Sequence, residues 1–261
     1  MSKKQNNRAH QGGTPIGWEP LAAWYDGWVG QHGSRHHRQR AIPATLELLQ
    51  PQPGEHILDI GCGQGVLAPY IARQGAHYTG IDVSPHLLKL ARKRHAGHGR
   101  FLRGDARHLT RLRELESGGF AGVVFLLSIQ DMDPLVEVLR AAEWALDANG
   151  RLVILMTHPC FRIPRQSGWG HDPGRKLQYR RVDSYLTPLT VPMKQIASGG
   201  VSISFHRPLS DYVNALGTCG LLIDALHEIT MKQDANNKAE RRAQAEFPLF
   251  LGLRARKITH R

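Results

Sequence analysis

The sequence predicts an α/β domain: seven strands in a mostly parallel sheet, helices on both faces, a helical cap on the N-terminal side and a lid insertion after the fifth strand. Three observations carry this. First, strand-like and helix-like apolar runs alternate from about residue 55 to 157 with short loops between them, the pattern of a parallel sheet. Second, residues 57–65 read Ile-Leu-Asp-Ile-Gly-Cys-Gly-Gln-Gly, an apolar strand that runs into a glycine turn ahead of a helix. Third, acids recur in register: Asp82 lies 23 residues after Asp59, and Asp105 lies 23 after Asp82. A βα unit has about that length, so each acid falls at the carboxyl end of a successive parallel strand.

In chain order, residues 1–17 are polar, basic and glycine-containing, and are expected to form a disordered tail ahead of a single domain over 18–261. The chain then turns aromatic (Trp18, Trp24, Tyr25, Trp28), and 18–29 and 36–49 read as two helices, the second ended by Pro51 and Pro53-Gly54. Strands are expected at 56–60, 77–81, 100–102, 121–127 and 151–156, and helices at 65–74, 85–96, 108–116 and 133–147. Ser84 caps the helix that opens with Pro85, and Gly150 stops the last of these helices. At His158 the alternation breaks. Residues 158–206 carry prolines, arginines and short β-like runs at 177–182 and 201–205. That is too long for an idle loop, and it is read as a lid on the open end of the sheet. A helix at 208–218, ended by Gly220, leads to strands at 221–226 and 247–255, the last of them antiparallel.

Composition narrows the function classes. With 261 residues, 41% of them hydrophobic, the chain suits one large globular domain. No apolar run approaches the roughly 20 residues of a membrane helix, and no membrane association is expected. The start, Met-Ser-Lys-Lys-Gln-Asn-Asn-Arg, lacks the apolar core of a secretory signal. Cys62, Cys160 and Cys219 have no metal-ligating spacing, so no metal is expected, and a reducing cytoplasm is the simplest setting. The formal charge is 34 − 22 = +12. Such a charge suits a nucleic-acid partner, but the basic residues are scattered along the chain and equally suit a solvated surface.

The glycine turn separates two kinds of ligand. A dinucleotide site wants Gly-x-Gly-x-x-Gly, because the pyrophosphate sits on the helix N-terminus. Here the third glycine of that pattern would fall at Val66. The chain has Gly61, Gly63 and Gly65 instead, with Asp59 two residues before the first. An acid there is badly placed for a diphosphate and suits a ligand with an ammonium group.

On these residues the chain resembles the class I S-adenosylmethionine-dependent methyltransferases, whose fold is Rossmann-like. Asp59 to Gly65 matches the family's first motif, Ile81-Asp82-Val83-Ser84 the acidic end of the second strand, and Gly104-Asp105-Ala106 the adenine-proximal loop. Leu127 to Asp133, including Ser128, follows the fourth strand. The resemblance covers about 40–157 and resumes over 206–256. It implies S-adenosyl-L-methionine as cofactor. It further implies that Asp82 accepts from the ribose hydroxyls and Asp105 from the adenine amino group, near Ala106. Asp59, Gly61, Cys62 and Gly63 shape the loop around the amino-acid end, with Cys62 a packing residue and no nucleophile. Tyr25-Asp26 resembles the tyrosine-containing segment that closes over the cofactor in small-molecule family members. Each acid could instead cap the helix that follows it, but three such coincidences in register are improbable. His158-Pro159-Cys160-Phe161 loosely resembles the signature of base-modifying amino-group methyltransferases. It follows the fifth strand where that signature follows the fourth, and it lacks the leading amide or acid.

For an acceptor hydroxyl the enzyme must take a proton. Candidate bases are His158, His206, Asp131 and Asp133, although Asp133 can cap the helix at Pro134 and His206 can join Arg207 in fixing the lid. The lid sets Trp169, Tyr179 and Tyr185 among six basic residues at 162–181. Aromatics and cations together suit a planar or anionic acceptor, or an unpaired nucleobase. No recognisable RNA-binding module accompanies the domain, so the expected reaction is methyl transfer to an oxygen or nitrogen of a small organic acceptor. The alternatives are an RNA or protein methyltransferase and a non-catalytic S-adenosylmethionine-binding regulator. The sequence gives no oligomeric state.

Overall fold

The computed structural model describes residues 17–193, 201–230, 235 and 237–258. The expected tail lies outside these residues except for Gly17, whose amide donates to Val201 O.

The strands come from apolar runs that alternate between two faces. They are β1 (His56–Ile60), β2 (His77–Asp82), β3 (Arg100–Arg103), β4 (Phe120–Leu126) and β5 (Leu146–Thr157). The insertion supplies two hairpins, β6 (Ser167–Asp172) with β7 (Leu177–Val182), and β8 (Leu189–Pro192) with β9 (Ile203–His206). β10 (Leu221–Ile229) and β11 (Phe250–Lys257) complete the main sheet. Its order is β3-β2-β1-β4-β5-β11-β10, parallel except at β11, which runs antiparallel to both neighbours. This is the expected seven-stranded Rossmann-like architecture. The order changes direction between β1 and β4, and open α/β sheets bind ligands beyond the carboxyl ends of the strands at such a point.

Each strand feeds two cores. Leu58, Val123, Phe125, Ile154 and Met156 pack under α5 (Leu135–Ala145) and α6 (Leu209–Thr218). Their neighbours Ile57, Val124, Val153 and Leu155 face α2 (Ile42–Leu49), α3 (Ala68–Arg73) and α4 (Pro85–His95). The alternation is the period-two pattern of strands covered on both sides. At the far end of the sheet Arg151, 8% exposed, ties the layers together. Its guanidinium reaches both oxygens of Glu55 at 2.5 and 3.1 Å and donates to the carbonyls of Leu49, Gln50 and Ala121.

Four expectations change. The stretch read as a helix over 108–116 is a 3₁₀ turn at Ala106–Arg111 followed by further turns. The apolar residues Leu109, Leu112 and Leu115 recur every three positions, and the amides of Leu112 and Leu115 bond back three residues, the 3₁₀ period. α5 ends at Ala145, and Gly150 lies inside β5, because Leu146 already pairs with Phe120. The first expected helix is a 3₁₀ turn (Glu19–Leu21) running into α1 (Ala22–Val29), and the second opens with a π turn at His37–Ala41. Finally, α7 (Lys238–Glu246) was not foreseen. It buries only Ala243, so it has no apolar stripe to read. Asn237 accepting from Glu240 N at 2.9 Å was its one legible signal, an N-cap followed by a glutamate at the third position.

Candidate active site

A cleft of about 1350 Å³ opens above the carboxyl ends of β1, β2 and β4, walled by the N-terminal segment and by the 158–206 insertion. A typical ligand pocket holds roughly 300–1,000 Å³, so this one has room for two ligands side by side.

The glycine turn forms the floor. Gly61 and Gly63 both have positive φ, 77° and 53°, which favours glycine. A Cβ on Gly61 would stand 2.6 Å from Ser128 Cβ, so the loop after β4 and the loop after β1 can touch only because Gly61 has none. Ser128 Oγ completes that contact by donating to Ile60 O at 2.7 Å. The amides of Gly61 and Cys62 both donate to Ile81 O, locking the turn to β2.

Asp82 ends β2 at the edge of the floor. Its Oδ2 accepts from Gly63 N and its Oδ1 from Ser84 N, both at 2.8 Å. Each oxygen thus has a fixed backbone donor while the side chain lines the cleft, a geometry that can accept two neighbouring hydroxyls. Burial raises its pKa, and the backbone amides pull the other way. Ser84 caps α4 as expected, accepting from Leu87 N, and its hydroxyl donates to Glu19 Oε2. Asp105 also lines the cleft, but Arg107 grips both its oxygens, the closest contact 2.5 Å, and holds its pKa down at about 2. It also caps the following turn through Arg107 N at 2.9 Å.

The wall opposite Asp82 is the N-terminal segment. Arg94 on α4 grips Asp26, and Gln64 Nε2 donates to Gly30 O at 2.9 Å. α1 is therefore pinned beside the glycine turn, and the Tyr25 ring lies over Gly63. Burial pushes the Tyr25 phenol up, and Asp82, Asp131 and Asp59 push it further, so three carboxylates converge on this end of the cleft.

Two of them are held close to neutral. Asp59 is 2% exposed; Tyr78 OH donates to its Oδ2 at 2.7 Å, and its Oδ1 has no partner among the described residues. Burial raises its pKa to about 7. Asp131 lies in the cleft wall, hydrogen-bonded by the side chains of Ser204 and Trp18, and burial raises it to about 7 as well.

Of the residues singled out in the sequence, the cleft gathers Tyr25, Gly61, Gly63, Asp82, Val83, Asp105, Ala106 and Ser128, with Asp131 and Asp133. It does not gather Asp59, which lies beneath the floor, or Cys62, whose side chain packs against Gly80. Both expected catalytic histidines stand elsewhere. His158 is 2% exposed, with Nε2 at 2.9 Å from Glu228 Oε1 and Nδ1 accepting from Cys160 N. His206 is buried, with Nε2 at 2.7 Å from Tyr185 O. Neither ring lines the cleft: His158, just past β5, turns to Glu228 on β10, and His206, at the end of β9, turns to Tyr185 O. Asp133 pairs with Arg207 at 2.7 Å and does not cap α5.

Sequence reasoning missed Trp18 and Ser204, which hold Asp131, and His37, which lines the cleft with Nδ1 at 2.8 Å from Ser34 Oγ. Burial lowers His37 to about 4, so its imidazole is neutral and a weak base. Trp18 and His37 sit in the two segments read only as helices, 18–29 and 36–49, where spacing carries no chemical signal.

The methyltransferase domain family matches residues 57–150. A ubiquinone biosynthesis O-methyltransferase of Xylella fastidiosa is 40% identical over 77 residues, covering 28% of this chain and 31% of that protein. A 23S rRNA (uracil(1939)-C(5))-methyltransferase of Acidithiobacillus ferrooxidans is 34% identical over 167 residues, covering 61% of this chain and 36% of that protein. The crystal structure of an S-adenosylmethionine-dependent methyltransferase from Mesorhizobium loti superposes with a TM-score of 0.70 at 25% identity, covering 87% of this chain and all of that one. The chain spans about a third of the length of these two curated relatives. Fold, glycine turn and likenesses together identify a class I S-adenosylmethionine-dependent methyltransferase domain, with S-adenosyl-L-methionine as its cofactor.

Proposed function

We propose that the protein transfers a methyl group from S-adenosyl-L-methionine to an oxygen or nitrogen of a small organic acceptor. The observation that carries the reading is the bipartite cleft, with carboxylates at the glycine-turn end and a second space under the insertion. The residues present fit the cofactor. Asp82 can accept from two ribose hydroxyls, while Gly61 and Gly63 keep the floor free of side chains. Asp82, joined by Asp131 and Asp59 as these ionise near pH 7, gives that end negative charge, which suits an ammonium and a sulfonium. Val83, Asp105 and Ala106 line the same end of the cleft; Val83 and Ala106 would pack on the adenine, and Asp105 would accept from its amino group.

The bound cofactor supplies a methyl group already activated by a positive sulfur. What remains for the protein is to align the acceptor, keep water out and, for a hydroxyl, hold the departing proton. Asp131 is the residue we assign to that proton. It lines the cleft, Trp18 and Ser204 fix its carboxyl group, and its pKa of about 7 suits a base working near neutrality. His158 and His206 have no such access.

Methyl-labelled S-adenosylmethionine tests the proposal. Incubated with the protein and a bacterial extract, it should label the low-mass organic fraction. Label only in the RNA fraction would replace this reading with RNA methylation, which the likeness to an rRNA methyltransferase and the net charge of +12 favour.

A further inference from the structure

The half of the cleft under the insertion has the opposite charge from the glycine-turn half. Arg162, just beyond β5, and Arg180, on β7, both line it. Neither has a carboxylate within ion-pair distance among the described residues. Arg180 gives only Nε and one Nη2 proton to neutral oxygens, Phe161 O at 2.6 Å and Ser167 Oγ at 3.0 Å, which leaves Nη1 for a ligand. The Arg162 side chain stands open to the cleft with no hydrogen bond or ion pair among the described residues, and protein packed around it works against its charge. The two arginines also repel one another, and Arg162 bears on His36 across the cleft in the same sense. Like charges gathered in a concave wall without a counterion cost stability, and an anion brought there would relieve the cost.

The neighbouring side chain adds shape. Arg180 lies over the Trp169 ring at 5.2 Å from its centroid, and Trp169, 42% exposed, also lines the cleft. Phe247 meets its ring edge-on from behind. An indole supported in this way, beside guanidinium groups, presents a flat apolar surface with an anion-binding edge.

We infer that the methyl acceptor is a planar organic anion whose carboxylate or phosphate is read by Arg162 and Arg180, with its ring against Trp169. This rests on the methyltransferase reading and gives it a substrate class. The polarity of the cleft then orients both ligands, because the cationic cofactor is drawn to the carboxylate end and the anionic acceptor to the arginine end.

Calorimetric titration tests it without knowing the acceptor. The probes are 1-naphthoate, 1-naphthyl phosphate and the neutral 1-naphthamide, each added to the full chain saturated with S-adenosylhomocysteine. At least one anion should bind about tenfold or more tighter than the amide, and which anion does so separates carboxylate from phosphate. The preference should shrink to within about threefold in Arg162→Gln and in Arg180→Gln while S-adenosylhomocysteine affinity stays as in the parent. Equal affinity for all three probes, no binding of any, or a preference that survives both substitutions overturns the inference. So does a short oligouridylate that displaces the naphthoate, which would assign the arginines to an RNA backbone. A protein that fails to bind S-adenosylhomocysteine overturns the methyltransferase reading and this one with it, and that result comes from a separate titration.

Discussion

Asp82 and Asp131 show how one side-chain type takes two roles through its surroundings. Asp82 is held by two backbone amides and faces hydroxyl-sized space, which is a binding geometry. Removing it should weaken S-adenosylhomocysteine binding by about 1.5–3 kcal/mol, the scale of a charge-assisted hydrogen bond, as read by calorimetry on Asp82→Ala. Asp131 is half-buried beside the neutral donors of Ser204 and Trp18, and its pKa of about 7 makes it a base that gains its working form as pH rises. For an acceptor hydroxyl, kcat/KM should climb with pH and level off above about 7, because the protonated carboxyl cannot accept. Asp131→Asn should remove that inflection and lower turnover by about 10²–10⁴. An unchanged pH profile in the variant would take the role from Asp131.

At the scale of elements, the β6–β7 hairpin separates cleft-facing from outward residues. Trp169 pairs with Arg180 across the ladder, and Gly170 with Tyr179, so alternate pairs point to opposite faces. Tyr179 covers Gly170, and Arg181 pairs with Asp183. Tyr179→Ala and Arg181→Ala should therefore leave acceptor KM within about twofold, whereas Trp169→Ala should raise it about tenfold or more. The sequence carried the insertion and its aromatic–cationic mixture, but not which residues face inward. That depends on the pairing register, and 177–182 alternates too weakly to give it. The parallel core was legible because β1, β4 and β5 carry apolar runs and Asp59, Asp82 and Asp105 recur at or just beyond strand ends. The catalytic side was not, since a histidine after a strand looks the same whether it turns toward the cleft or, like His158, toward Glu228. Away from the cleft, Arg151→Ala should destabilise the domain by about 2–4 kcal/mol in urea unfolding, because Glu55 and three carbonyls lose their shared donor.

For the whole molecule, the two raised carboxyls link folding to pH. Asp59 and Asp131 hold protons in the folded state up to about 7, well above the ordinary carboxylate range. The folded state therefore binds more protons than the unfolded chain between about 4 and 7, and their contribution to stability falls as pH rises through that window. Compared with the Asp59→Asn/Asp131→Asn double variant, the free protein should lose more stability between pH 5 and pH 8 in thermal unfolding, roughly the window these pKa values define. A cationic ligand at that end of the cleft favours the ionised forms, so S-adenosylmethionine should release protons on binding near pH 6.5, roughly the pH at which both groups are partly protonated. Calorimetry in buffers of different ionisation enthalpy reads that release directly, and proton uptake would contradict it.

The glycine turn and its carboxylates suit S-adenosylmethionine and not a dinucleotide. The most direct measurement is a calorimetric titration of the full chain with S-adenosylhomocysteine and, separately, with NAD. Saturable binding of S-adenosylhomocysteine at one site per chain, with no heat from NAD, is the predicted result. Binding of NAD in its place, or saturation by neither ligand, would contradict the account.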